Sequence, residues 1–358
     1  MNDKRVTVRD IAERMKVSSG TVHRALNDKP GVGEELRSRI RQVAEEMGYR
    51  PNVLAATLKM KPLRIVLAFP QQERGDRFYY HYVWQGCRDR MQTYSDYRLE
   101  TVEMPYSRDG RDDAQSFSSG VDRLLEAYNG EIDGVIAGGL MRGPDALAVE
   151  RLNEMGVPVV MLCESVAAQS SLCVVQSNHY ADGQIAAELL RSHIAPGGKI
   201  LVCAGSPEMN SNIENLRGFQ DGLGDDYRLK TIYGVFEHEQ LEQKLYDSLS
   251  SGNYQGAYSV AARSTPPLCD AIRRLNLQQK LCVVGSEVFP ESAQALQDGT
   301  LNYLLYKKPR EQGARGADIL LEQLLRHNPP QKKQVQLNSA IVIRSNVQFY
   351  LQELECEE

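Results

Sequence analysis

Four residues near the amino terminus, Ser19, Gly20, His23 and Arg24, are spaced to share the outward side of one short helix. Their chemistry is hydrogen bonding to a planar, edge-on target. The Arg24 guanidinium can fork onto the O6 and N7 of a guanine in a major groove. His23 can reach a phosphate as a cation or a base edge as a neutral ring. Gly20 offers only close approach. The hydroxyl of Ser18, with the first free backbone N–H groups of the helix, suits phosphate oxygens. Covalent chemistry has no comparable support. No HExxH, HxxEH, GxSxG or P-loop occurs. The glycines of residues 134–139 are wrongly spaced for a dinucleotide fingerprint. The acidic pairs Glu45-Glu46, Asp112-Asp113 and Asp225-Asp226 would point apart on a helix. The chain is therefore expected not to be an enzyme and to need no metal or cofactor.

The elements that must hold the four residues are legible around them. Thr7 with Asp10 forms a capping pair ahead of Val8, Ile11, Ala12 and Met15 at helical spacing. Ser18 can cap a second helix with Val22, Ala25 and Leu26 inside. A third helix starts near Gly33 or Glu34, buries Leu36, Ile40, Val43, Ala44 and Met47, and stops at Gly48. Two short helices joined by a tight turn make a helix-turn-helix, whose second helix can enter a major groove. Charge agrees. Residues 1–64 hold 14 Lys/Arg against 8 Asp/Glu, whereas the remainder holds 28 against 39. A basic head on an acidic body fits a polyanion-binding module attached to a domain with another task.

From Leu63 the periodicity changes. Apolar runs over 64–69, 133–137, 158–163, 199–203 and 281–285 alternate with helical patterns such as 121–126 and 183–190. Short buried strands alternating with helices imply parallel sheets, and about 290 residues favour two lobes over one. Ligands of such sheets bind beyond the carboxyl ends of the strands. The seven scattered cysteines, without a CxxC, suit reduced thiols in a cytoplasmic protein. No uncharged apolar run approaches the ~18 residues of a membrane span, so no membrane partner is expected.

Residues 6–12, 17–27 and 48–52 match, in order and spacing, the DNA-binding head of the lactose/galactose-repressor family of bacterial regulators, which the chain resembles. The resemblance implies an all-α helix-turn-helix head over 1–50 and a hinge helix or linker over 51–61. It further implies a two-lobed, type I periplasmic-binding-protein-like effector domain with parallel sheets. One lobe would comprise 62–164 and 304–335, the other 165–303 and 336–358. By the same resemblance Ser19, Gly20, His23 and Arg24 read bases, and Thr7, Ser18, Thr21 and Asn27 contact phosphates. Ala55 and Leu58 belong to a hinge that folds in the minor groove, where Leu58 wedges a base step.

In the body the resemblance is carried by residues 178–187, 216–223, 283–287, 309–313 and 341–346. It implies an effector site with Arg217, Glu287, Asn178, Lys307, Phe78 and Tyr79. Lys307 stands where sugar-binding relatives often have glutamine. It could pair with an acidic ligand, or with Glu287, which would leave a neutral one. The partners implied are an inverted-repeat DNA operator, a sugar-like effector and a second copy of the chain. A solute-binding receptor of the same fold is the alternative.

Overall fold

The computed structural model describes residues 6–26, 29–47, 61–107, 113–139, 143–164, 168–234 and 237–355. Two compact units result, one containing the amino-terminal helices and one containing both sheets.

The head is built from helices α1 (Val8–Met15), α2 (Ser19–Leu26) and α3 (Glu34–Glu46). The capping box forms as the sequence predicts. Thr7 Oγ1 accepts from the Asp10 amide, and the Thr7 amide donates to Asp10 Oδ2 at 2.7 Å. Lys16 ends α1 in the left-handed region, which lets the turn tighten. Ile11, Val22, Ala25, Ile40 and Ala44 meet in the core. A buried cation completes it. Arg37 donates to the carbonyls of Arg24, Ala25 and Lys29 at 3.0–3.3 Å, so it satisfies the orphan carboxyl end of α2.

The body holds two six-stranded sheets. Their strands are β1 (Leu63–Pro70), β2 (Leu99–Tyr106), β3 (Gly134–Gly138), β4 (Val159–Leu162), β5 (Cys173–Ser177), β6 (Lys199–Gly205), β7 (Arg228–Tyr233), β8 (Gly256–Ser259), β9 (Cys282–Ser286), β10 (Tyr303–Tyr306), β11 (Gln334–Leu337) and β12 (Ala340–Val342). The orders are β11-β5-β4-β3-β1-β2 and β12-β10-β9-β8-β6-β7. All pairs are parallel except β10 with β12. Alternate residues serve opposite faces. Ile65, Leu67 and Phe69 enter one core, while Val66 and Ala68 enter the other. All five strand runs expected from the sequence are strands.

The chain passes between the sheets three times, after β5, after β10 and between β11 and β12. This shifts the expected lobe boundaries. β5 belongs to the first sheet although it lies beyond residue 164, because Cys173 pairs with Val160. β10 belongs to the second sheet although it reaches past residue 303, because Tyr303 pairs with Val284. β11 pairs with β5, so the last crossing follows residue 337 rather than 335.

Each lobe is clamped by two helices in backbone contact. Helix α4 (Arg77–Gln92) meets α12 (Pro309–Arg326) through Gly86 and Gly313. Helix α7 (His179–Arg191) meets α8 (Asn210–Leu223) through Gly183 and Gly218. A Cβ on Gly218 would stand 2.0 Å from the Tyr180 carbonyl oxygen, and one on Gly183 2.0 Å from that of Asn215. Gly218→Ala is expected to cost about 1–3 kcal/mol by forcing α7 and α8 apart. The urea midpoint of the body would report it, and an unchanged midpoint would show that the helices yield freely.

Candidate functional site

On α2, Ser19, Gly20, His23 and Arg24 are all exposed, while Val22 and Ala25 point into the core. The exposed row follows from the helical period once the apolar pair is anchored. Ser18 accepts from the Thr21 amide at 3.0 Å, and its Oγ lies 2.8 Å from Thr21 Oγ1. Both hydroxyls therefore brace the start of the helix. Thr7 is exposed beside the start of α1. Asn27, Ala55 and Leu58 lie outside the described residues.

In the body a cavity lies beyond the carboxyl ends of the strands, between the sheets. The first lobe contributes Asp76, Tyr79, Tyr80, Cys163 and Glu164. The second contributes His179, Ser211, Asn212, Arg263 and Lys307. The walls are polarised, with Asp76 and Glu164 on one side and Arg263 and Lys307 on the other. Glu164 is 1% exposed and accepts from the Ser211 hydroxyl and, at 3.3 Å, from the Ser211 amide. Arg263 pairs with Asp76 at 3.6 Å. Lys307 Nζ donates to the Val260 carbonyl at 2.8 Å and to Ser286 Oγ at 2.9 Å. Burial and the nearby Lys307 ammonium hold His179 neutral, with a pKa lowered to about 3. Its ring nitrogens lie 3.2 Å from the Cys163 carbonyl and 3.0 Å from Ser177 Oγ. Cys163 (φ 70°) and Glu287 (φ 67°), just past β4 and β9, hold the strained backbone common at binding sites.

Among the described residues no cluster of three or more His, Cys, Asp or Glu could hold a metal ion, and no helix is long and apolar enough to cross a membrane.

Comparison with known proteins agrees with both units. Residues 7–52 match the model of bacterial regulatory proteins of the lacI family, and residues 143–328 match that of the periplasmic binding protein domain. The chain joins a lacI-family regulatory head to a body that belongs to the periplasmic binding protein domain family. The transcriptional regulator AscG of Escherichia coli is 24% identical over 246 residues, which are 66% of this chain and 64% of that protein, so the match spans just under two thirds of AscG. Catabolite control protein A of Streptococcus mutans is 25% identical over 317 residues, 86% and 85% of the two chains. A periplasmic solute-binding protein of Actinobacillus succinogenes, solved with D-allose, shares the fold with a TM-score of 0.68 at 16% identity. That match covers 81% of this chain and 100% of the other.

Within this periplasmic-binding-protein-like body, two of the six expected effector residues, Tyr79 and Lys307, line the cavity. The other four do not. Phe78 turns away and packs on Phe289, ring centroids 4.4 Å apart. Glu287 is fully buried, and both its oxygens accept from the Lys307 amide at 3.2–3.3 Å. That pairing uses the lysine's backbone, whereas the expected one used its ammonium. Arg217 is exposed on α8, bonded to Glu214 at 2.6 Å and lying over the Tyr180 ring. Helical phase decides this, because Ser211 and Asn212 hold the cavity side of α8. Asn178 accepts from the Ala181 amide as the cap of α7 and lines a separate depression with Tyr180 and Glu214.

Sequence reasoning missed Glu164, Arg263, Ser211 and Asp76. The signal for Glu164 was present, since it stands just past the carboxyl end of an expected strand. Arg263 and Asp76 gave none, because only the fold brings them together.

Burial pushes the Glu287 carboxyl up to about 8, with Lys307 opposing. The folded state therefore holds a proton that the unfolded chain releases near pH 4.3. Stability from this group is complete below that point and is lost as pH rises toward about 8. The melting temperature should fall across this window, and Glu287→Gln should flatten the fall. A Gln variant with the wild-type slope would exclude Glu287 as its source.

Proposed function

We propose that the chain is a sequence-specific DNA-binding transcriptional repressor that responds to a small carbohydrate held between its lobes. The observation that carries this is the joining of an exposed Ser19–Gly20–His23–Arg24 row to a polar interlobe cavity in one lacI-family chain. The exposed row suits base edges, with Arg24 as the discriminating donor. Thr7, Ser18, Thr21 and Asn27 serve phosphates. Two copies bind an inverted repeat, because protein two-fold symmetry mirrors operator symmetry. The hinge over 51–61 places Ala55 and Leu58 in the minor groove. The protein works in the cytoplasm and catalyses no reaction.

The cavity favours an uncharged polyol over an acidic sugar. Arg263 is already matched by Asp76, and the Lys307 ammonium spends two donors on Val260 and Ser286. Glu164, Ser211 and Asn212, which are bonded to protein groups but keep spare acceptor or donor positions, line the cavity beside Tyr79, whose ring can cover a sugar face. Effector binding changes how the lobes pack, which biases whether the paired hinges order on DNA.

Site selection from a random duplex pool tests the DNA reading. An inverted repeat should emerge, and recovery of no preferred sequence at low salt would overturn the proposal. On that repeat Arg24→Ala should cost about 1–3 kcal/mol and relax one base position in each half-site. Calorimetry with matched neutral and acidic sugars tests the effector class, and binding of acidic ones alone would reverse it.

A further inference from the structure

Three consecutive side chains at the start of α4 leave the first lobe and engage the second. Asp76 meets Arg263 at 3.6 Å, Arg77 meets Glu291 at 2.8 Å, and the Phe78 ring stacks on Phe289. The backbone before them is pressed in as well. A Cβ on Gly75 would lie 2.8 Å from the Arg263 Cβ, so only glycine lets the strand-to-helix turn sit this close. The contacts differ in kind. Asp76 and Arg263 are mostly buried in the cavity wall, with side chains 17% and 19% exposed. Arg77 and Glu291 are half-exposed on the rim. Phe78 and Phe289 are shielded within the second lobe's core cluster. On the α8 side, the buried Glu164 carboxylate reaches Ser211 across the same cleft.

We infer that the segment Gly75–Phe78 is a latch, by which the chain's own charges and one aromatic pair hold the lobes together. This goes beyond the proposed function and does not depend on which ligand enters. An apolar contact supplies area burial, and the two ion pairs of opposite polarity fix register. Asp76 carries its negative charge to a cation, while the next residue carries its positive charge to an anion. The alternation disfavours any docking that would set like charges opposite each other. The effector then biases an equilibrium whose closed side already has built-in stability. Its apparent affinity depends on how often the latch lets the cavity open.

Amide hydrogen exchange on the full chain tests the latch without a ligand. Arg77→Glu, at the solvent-exposed rim, sets like charges against Glu291 and leaves the core intact. Exchange should rise about three- to fivefold, the scale of one surface ion pair, in residues 75–80 and, across the cleft, in 261–264 and 287–291. Far-UV circular dichroism should be unchanged. The charge swap Arg77→Glu with Glu291→Arg should restore wild-type protection on both sides. Loosening confined to the first lobe, or a swap that fails to restore protection, would overturn the latch. Asp76→Asn is a second arm. It should loosen the same two segments, and unchanged exchange there would equally count against it.

Discussion

Two largely parallel sheets joined by three chain crossings impose one geometric constraint on the body. The carboxyl ends of both sets of strands must face a common cleft. Loops after β4, β6, β8 and β10 then deliver side chains there from far-apart stretches of sequence. Two of the crossings also plant a polar group near the pivot, with Ser177 ending β5 and Lys307 following β10. Because they are buried, each of these groups bonds to a buried carboxyl group. Ser177 donates to Asp182 at 2.8 Å, and the Lys307 amide serves Glu287. The result is a cluster of buried polar groups beside the cavity.

Close packing transmits that constraint to the lobes. Gly86 with Gly313 in one lobe, and Gly183 with Gly218 in the other, bring helix backbones into contact with no side chain between them. Such contacts cannot be relieved by a rotamer change. Between the lobes, ion pairs and aromatic side chains of α4, Phe78 and Tyr82 among them, bridge the cleft. In the head a similar economy operates. Arg37, together with the Lys29 amide on the Arg24 carbonyl, ties the end of α2 to the following loop.

Much of this was legible in the residues. The capping pair of Thr7 and Asp10, the three apolar stripes of the head and the five strand runs are local patterns, and local patterns survive folding. The exposure of Ser19, Gly20, His23 and Arg24 followed because a helix has one phase, fixed once Val22 and Ala25 are buried. The body's site was legible only in part. Tyr79 and Lys307 reached the cavity, but Phe78, Glu287, Arg217 and Asn178 serve packing, burial, surface pairing and capping. Several of these lie in segments that resemble the family. A segment can match a family for the sake of its packing, as Gly183 and Gly218 show, without each polar residue in it touching a ligand.

The sequence alone determined which stretches coil, which extend, where charge concentrates and which row of one helix faces outward. Those properties depend on neighbours a few positions away. Tertiary structure decided which sheet claims β5 and β10, which side of α8 meets the cleft, and that Asp76 finds Arg263 while Glu164 finds Ser211. Those outcomes depend on strand pairing and helix phase summed over hundreds of residues. No window of local sequence carries that sum.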